Sequence, residues 1–159
     1  MSARKDAAMA QASESAALWV VLARAYRAMQ MFVEKSVAAL GIGLSDFMIL
    51  EALLHKGAMT MSALCEAVLL KNASMTAAVD RLEKKKLVER IADSNDRRVR
   101  LVQLTPDGAA TIKRLFVRHL KDLEEVMKDV SPAERAQARQ VLKTIGLAAQ
   151  AAAIANRER

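Results

Sequence analysis

Apolar residues recur at three- and four-residue spacing along the first stretch of the chain. Leu18, Val21, Leu22, Ala25, Met29, Phe32, Val33 and Val37 predict a long helix over about Glu14–Leu40, stopped by Gly41 and Gly43. Ser45 is expected to cap a second helix that turns Phe47, Leu50, Leu53 and Leu54 inward and ends at Gly57. Thr60 and Met61 read as a brief extended link into a short third helix, about Ser62 to Leu69. Asn72 then suits the N-cap of a helix running to Lys86, with Met75, Val79 and Leu82 on its inner face. Lys84, Lys85 and Lys86 complement the negative end of its dipole.

Beyond Lys86 the period changes. Leu87, Val88 and Ile91 precede a polar stretch, Ala92–Arg98, and Val99, Leu101, Val102 and Leu104 follow it with β-branched, alternating character. Two short strands around a charged turn make a hairpin. Thr105-Pro106 is a cap with proline at the first helical position, opening a helix whose stripe includes Ile112, Leu115, Phe116, His119, Leu123 and Met127. Ser131-Pro132-Ala133-Glu134 is a capping box for a last helix reaching about Ala155. The fold class expected is mostly α, a winged helix-turn-helix with N- and C-terminal helices and a small β-hairpin wing. It divides into an N-terminal segment and helix (1–40), a winged lobe (41–104) and C-terminal helices (105–159), in one compact domain overall.

Composition agrees with packed helices: 53% of residues are hydrophobic but only 3% aromatic, and two prolines and five glycines leave room for long helices. The net charge of +7 points to a polyanionic partner, nucleic acid or an anionic membrane surface, against the alternative of a merely basic soluble protein. Its distribution favours nucleic acid. Between Lys71 and Arg100 nine basic residues (Lys71, Arg81, Lys84, Lys85, Lys86, Arg90, Arg97, Arg98, Arg100) face five acids. Phosphates dominate nucleic-acid affinity, so a local excess of this kind is the footprint to expect.

Other functions find less support. Cys65 is the only cysteine, so neither an intrachain disulfide nor a thiolate metal cluster is expected. His55 and His119 make no recognisable metal pair. No phosphate-binding glycine loop or Ser/His/Asp arrangement suggests an enzyme, and no cofactor is expected. The apolar stretch Ala16–Ala23 is too short to span a bilayer, so no membrane association and a cytoplasmic location are expected.

Three short helices followed by a hairpin can present a helix to the DNA major groove, where base edges offer a distinct donor and acceptor pattern. Lys71, Asn72, Ala73, Ser74, Met75 and Thr76 fall in or beside the first turns of that helix, with Arg81 further along. Small and hydroxylated side chains there allow close backbone approach. Ser74 and Thr76 can bond bases or phosphates; alternatively Ser74 only caps and Thr76 only packs. Arg97 and Arg98 lie at the hairpin tip, where a guanidinium can enter a narrow minor groove or simply remain in solvent.

Asp93-Ser94-Asn95-Asp96-Arg97-Arg98 and Val102-Gln103-Leu104-Thr105-Pro106-Asp107-Gly108 resemble the wing and strand-to-helix signature of the MarR (multiple antibiotic resistance regulator) family. Ala78-Val79-Asp80-Arg81-Leu82-Glu83 and Leu87-Val88-Glu89-Arg90 are similar to its recognition helix and first wing strand. The resemblance implies a homodimer whose terminal helices interleave, placing two recognition helices on a pseudo-palindromic double-stranded DNA operator. It further implies a repressor released by a small aromatic or phenolic effector, with Asp96 positioning Arg98 or Arg81. The family's ligand pocket would fall near Met29, Phe32, Phe47, Met48 and His55, with Trp19 and Tyr26 as further candidates. Redox sensing through Cys65 is an alternative, as is a non-catalytic helical interaction protein.

Three departures stand out. Ala77 replaces a common arginine, Ser94 a common proline, and Lys86 the usual glycine after the recognition helix. The last predicts a left-handed backbone at Lys86 despite its side chain.

Overall fold

Hydroxyl caps set the N-termini of the α-helices beginning at Met61, Pro106 and Pro132 in the computed structural model. The structure describes residues 2–68, 72–94, 96 and 98–156, with the backbone alone for residues 2–8, 72 and 73. The order is α1 (Ser2–Ala39), α2 (Leu44–Lys56), β1 (Met59–Thr60), α3 (Met61–Val68), α4 (Asn72–Lys84), β2 (Val88–Ala92), β3 (Arg100–Leu104), α5 (Pro106–Val126) and α6 (Pro132–Ala155).

α1 starts well before Glu14, because residues 2–13 are rich in alanine and continue the helix without an apolar stripe. α2 is not capped by Ser45. Its N-cap is Gly43, extended at φ −74° and ψ 149° with no side-chain bond, and Ser45 lies inside the first turn. Thr60 serves α3: its Oγ1 accepts from the Ala63 N–H at 3.2 Å. Thr105 Oγ1 accepts from the Gly108 N–H at 3.0 Å at the head of α5. At α6 both halves of the Ser131–Glu134 capping box are formed. Its two bonds from Ser131 to the Glu134 carboxylate hold that group below its ordinary pKa.

The hairpin gains a strand that periodicity alone does not reveal. β1 pairs antiparallel with β3, matching Met59 with Val102 and Thr60 with Leu101, so the sheet order is β1-β3-β2. A two-residue strand carries no alternation to detect, and its pairing depends on where α2 delivers the chain.

The end of α4 confirms the expectation for Lys86. Its φ is 57°, the one non-glycine residue with positive φ among those described. The Lys86 N–H donates to Glu83 O and the Leu87 N–H to Leu82 O, closing a Schellman turn. Lys86→Gly is therefore expected to stabilise the fold by about 1 kcal/mol, because glycine enters this region without the Cβ penalty. Urea unfolding checks this; an unchanged or lower midpoint would contradict it.

The described chain forms two compact units, Met1–His119 and Leu120–Arg159. In the first, Phe47, Ile49 and Leu50 of α2, Leu64 and Val68 of α3, Met75, Val79 and Leu82 of α4, and Ile112 of α5 make the buried core. Val88 and Val102 join it from the wing strands. In the second, Arg135 ties the turn before α6, bonding Glu124 at 2.8 Å and the carbonyls of Met127 and Val130 at 2.6 and 2.9 Å. α6 buries none of its residues, and Val141, Leu142, Leu147 and Ile154 are exposed. On α1, Trp19 and Tyr26 are 66% and 67% exposed. Among the described residues no single helix is long and apolar enough to cross a membrane.

Candidate nucleic-acid interface and adjoining cavity

The helical period divides α4 cleanly. Met75, Ala78, Val79 and Leu82 are buried against the core, whereas Ser74, Thr76, Ala77, Arg81, Lys84 and Lys85 are exposed. Met75 is 0% exposed, so the expectation that it touches DNA is corrected: its side chain fills the core and offers nothing to a groove. Lys71 and Arg97 lie outside the described residues, as do the side chains of Asn72 and Ala73.

α4 is held from both sides by ion pairs. Asp46, in the first turn of α2 and 2% exposed, accepts from Arg81 Nε at 3.1 Å through each carboxylate oxygen, and from Nη2 as well. Lys85 Nζ reaches the same carboxylate at 3.5 Å. The Asp46 hydrogen bond raises the Arg81 pKa beyond its ordinary value against the opposing effect of desolvation. From the wing side, Arg90 on β2 bonds Asp80 at 2.5 Å and also Glu83. Two partly exposed acids of α4 are thereby paired within the chain, leaving the basic residues of its exposed face to set its charge. The role of Asp46 was not legible in advance; an acid in a helix's first turn reads equally well as a complement to the dipole.

Carboxylates also shape the wing turn. The Asp96 N–H bonds Asp93 Oδ1 at 3.3 Å, and the Val99 N–H bonds Asp96 O at 2.9 Å. Asp96 Oδ1 accepts from the Arg98 N–H at 3.0 Å and from Arg98 Nε at 3.2 Å. Of the two expected partners for Asp96, the structure pairs it with Arg98, while Arg81 is taken by Asp46. The Arg98 backbone N–H first, then its guanidinium, hold the Asp96 carboxyl below its ordinary pKa. The brace is thus fully present above the ordinary carboxylate range and is lost as pH falls through the lowered value. The Arg98 side chain remains 92% exposed.

A cavity of about 430 Å³ opens beside α2, within the range of small-ligand pockets. Its described lining is apolar at Met29, Val33, Leu44, Phe47, Met48 and Val68, and polar at Tyr26, Gln30, Glu51 and His119. Of the residues expected there, Met29, Phe47 and Met48 line it, and Tyr26 joins them. Phe32 does not, because Tyr26, Met29, Gln30 and Val33 make the face of α1 that turns to the cavity. His55 is also displaced: eight residues past Phe47, it lies about 12 Å further along α2. There it borders an adjoining cavity of about 180 Å³, which shares Met48, Glu51 and Val68 with the first, and meets the Phe116 ring edge-on at 5.0 Å. The histidine that sequence reasoning missed is His119, 6% exposed, with Nδ1 at 3.4 Å from Ser36 Oγ and its ring 5.0 Å from Phe47. Its only advance signal was a polar residue inside an apolar stripe. Cys65 is half-buried and packs against the core.

Comparison with known proteins accords with this geometry. The MarR family profile matches residues 42–99, from the start of α2 to the wing. The HTH-type transcriptional regulator MhqR of Bacillus subtilis (strain 168) is 34% identical over 137 residues, covering 86% of this chain and 94% of that protein. The chain belongs to the MarR family. It is a DNA-binding transcriptional regulator with a winged-helix fold. As a MarR protein it also resembles solved structures. That of Bordetella bronchiseptica BpsR, concerned with the regulation of its DNA binding by 6-hydroxynicotinic acid, superposes with TM-score 0.69 at 26% identity. The match covers 79% of this chain and 90% of BpsR. A cysteine-to-serine mutant of MarR from E. coli, complexed with operator DNA, shares the fold with TM-score 0.68 at 24% identity, covering 79% and 90% of the two chains.

Proposed function

We propose that this MarR protein is a homodimeric repressor that occupies a pseudo-palindromic operator and leaves it when a small aromatic or phenolic ligand fills the cavity beside α2. The observation that carries the reading is the pairing of an exposed, basic α4 face with a wing whose Arg98 is pre-set by Asp96. In this reading Ser74 and Thr76 contact bases or phosphates in the major groove, with Lys71, Asn72 and Ala73 at the same end of the helix. Arg97 and Arg98 reach the flanking minor groove, and Asp96 positions Arg98. Arg81 acts through Asp46, fixing the angle of α4.

A second copy is supported by the bare apolar surfaces of α1 and α6, which a single chain leaves in water. Two α4 helices about one DNA turn apart would then meet two half-sites. A cavity ligand is supported by the mainly apolar lining with its few polar groups described above. Leu44, Phe47 and Met48 line the cavity and Asp46 lies among them in sequence, so a ligand that shifts this turn also shifts the anchor of α4.

A gel-shift titration against the gene's own upstream region tests the reading. Salt-sensitive, palindrome-specific binding is expected, and its absence would favour a helical interaction protein. Arg98→Ala should weaken operator binding about tenfold while leaving the dimer intact by light scattering. Binding equal to the parent at moderate salt would remove Arg98 from the interface.

A further inference from the structure

We propose that the cavity beside α2 selects an uncharged aromatic hydroxyl compound and rejects aromatic carboxylates, with Glu51 as the selecting residue. The inference rests on the effector reading above and names the ligand chemistry of the same site. Glu51 is the one acidic side chain on the described lining, which carries no lysine or arginine; Lys56 lines the neighbouring cavity that Glu51 also borders. The other polar groups are Tyr26, Gln30 and His119, set among Met29, Leu44, Phe47 and Met48.

A carboxylate entering this space loses much of its hydration and meets a like charge, with no guanidinium or ammonium on the described lining to offset it. A neutral hydroxyl meets the opposite situation. Its O–H can donate to the Glu51 carboxylate, a charge-assisted bond of the stronger kind. Phe47 and the thioethers of Met29 and Met48 offer soft, polarisable contacts to an aromatic ring. His119 is oriented before any ligand arrives, because Ser36 engages Nδ1 and Phe47 meets the ring edge.

The test uses the full chain and a size-matched pair of probes, 2-naphthol and 2-naphthoate, in calorimetric titrations at pH 8. The two probes differ chiefly in charge, and Glu51 is the charged side chain on the described lining placed to read that difference. The parent is expected to bind 2-naphthol on the order of tenfold more tightly than 2-naphthoate. Glu51→Gln should bring that ratio close to one by strengthening naphthoate and weakening naphthol. Gln30→Lys, a change at an exposed position of α1, should raise naphthoate affinity and keeps the test informative if the Glu51 variant folds poorly.

Equal or tighter naphthoate binding by the parent would overturn the proposal, as would a ratio that Glu51→Gln leaves unchanged or failure of both probes to bind. The same samples assayed on operator DNA separate the two readings. Naphthol binding with the expected preference but no release of DNA would leave the selectivity standing and end the effector role.

Discussion

Gly108→Ala is expected to destabilise the first unit by about 3 kcal/mol, the upper end of overpacking costs, lowering its melting temperature by roughly 10 °C. A Cβ built on Gly108 would stand 1.8 Å from Leu87 O, 2.8 Å from Leu87 C and 3.2 Å from its Cα. All three are backbone atoms, so no side-chain rotation can relieve the clash. The neighbouring bonds show what must yield. The Thr105 N–H donates to that same Leu87 carbonyl at 3.1 Å, and Thr105 Oγ1 donates to Lys86 O at 2.7 Å. The head of α5 is thus clamped onto the Schellman turn that ends α4. Opening the clamp by the distance a methyl needs disrupts the Thr105 cap as well as the packing of Leu87. Because β2 starts at Val88, the first wing strand should loosen too, visible as faster amide exchange from Val88 to Ala92. Thermal and urea unfolding decide the matter: a loss below about 1 kcal/mol would mean that the two segments separate easily and that the clamp matters little.

How far the sequence reveals such features depends on their range. Thr105 and Ser131 could be read as caps because a cap needs only a hydroxyl, a following proline and nearby N–H groups, all contiguous in the chain. The positive φ at Lys86 followed from the resemblance, which sets a glycine at the position where α4 ends. The inner face of α4 was legible from its spacing, although the same spacing should have withdrawn Met75 from the contacts expected with DNA. Features made by chain crossings were not. β1 exists because β3 passes beside Met59, and the cavity holds His119 in place of His55 because α5 brings it against Phe47 and Ser36. Ser45 failed as a cap for a subtler reason: two positions earlier, Gly43 already takes the extended backbone that an N-cap needs.

Asp46 is the clearest such case, and Asp46→Asn is expected to lower specific operator affinity about tenfold while costing about 1–2 kcal/mol of stability. The stability cost falls below that of a fully buried pair because the partners are not buried. Arg81 and Lys85 side chains are 46% and 50% exposed and can be rehydrated when the carboxylate is gone. The effect on DNA has the more informative sign. Removing a negative charge behind the helix proposed to meet DNA should, on electrostatics alone, tighten binding to every sequence. If Asp46 works instead by fixing the angle of α4 through Arg81, specific binding weakens while non-specific binding holds or rises. The ratio of the two then falls. Fluorescence anisotropy on operator and scrambled duplexes at two salt concentrations separates these outcomes. Equal tightening on both duplexes would reduce Asp46 to a charge and remove it as a positioning residue. A fall confined to the operator, with Arg81→Met causing no further fall in the Asp46→Asn background, would identify the two as one element. In the reading proposed above, that element joins the α2 turn beside the cavity to the helix that would meet DNA, so the same double variant should also respond less to any ligand that releases the parent.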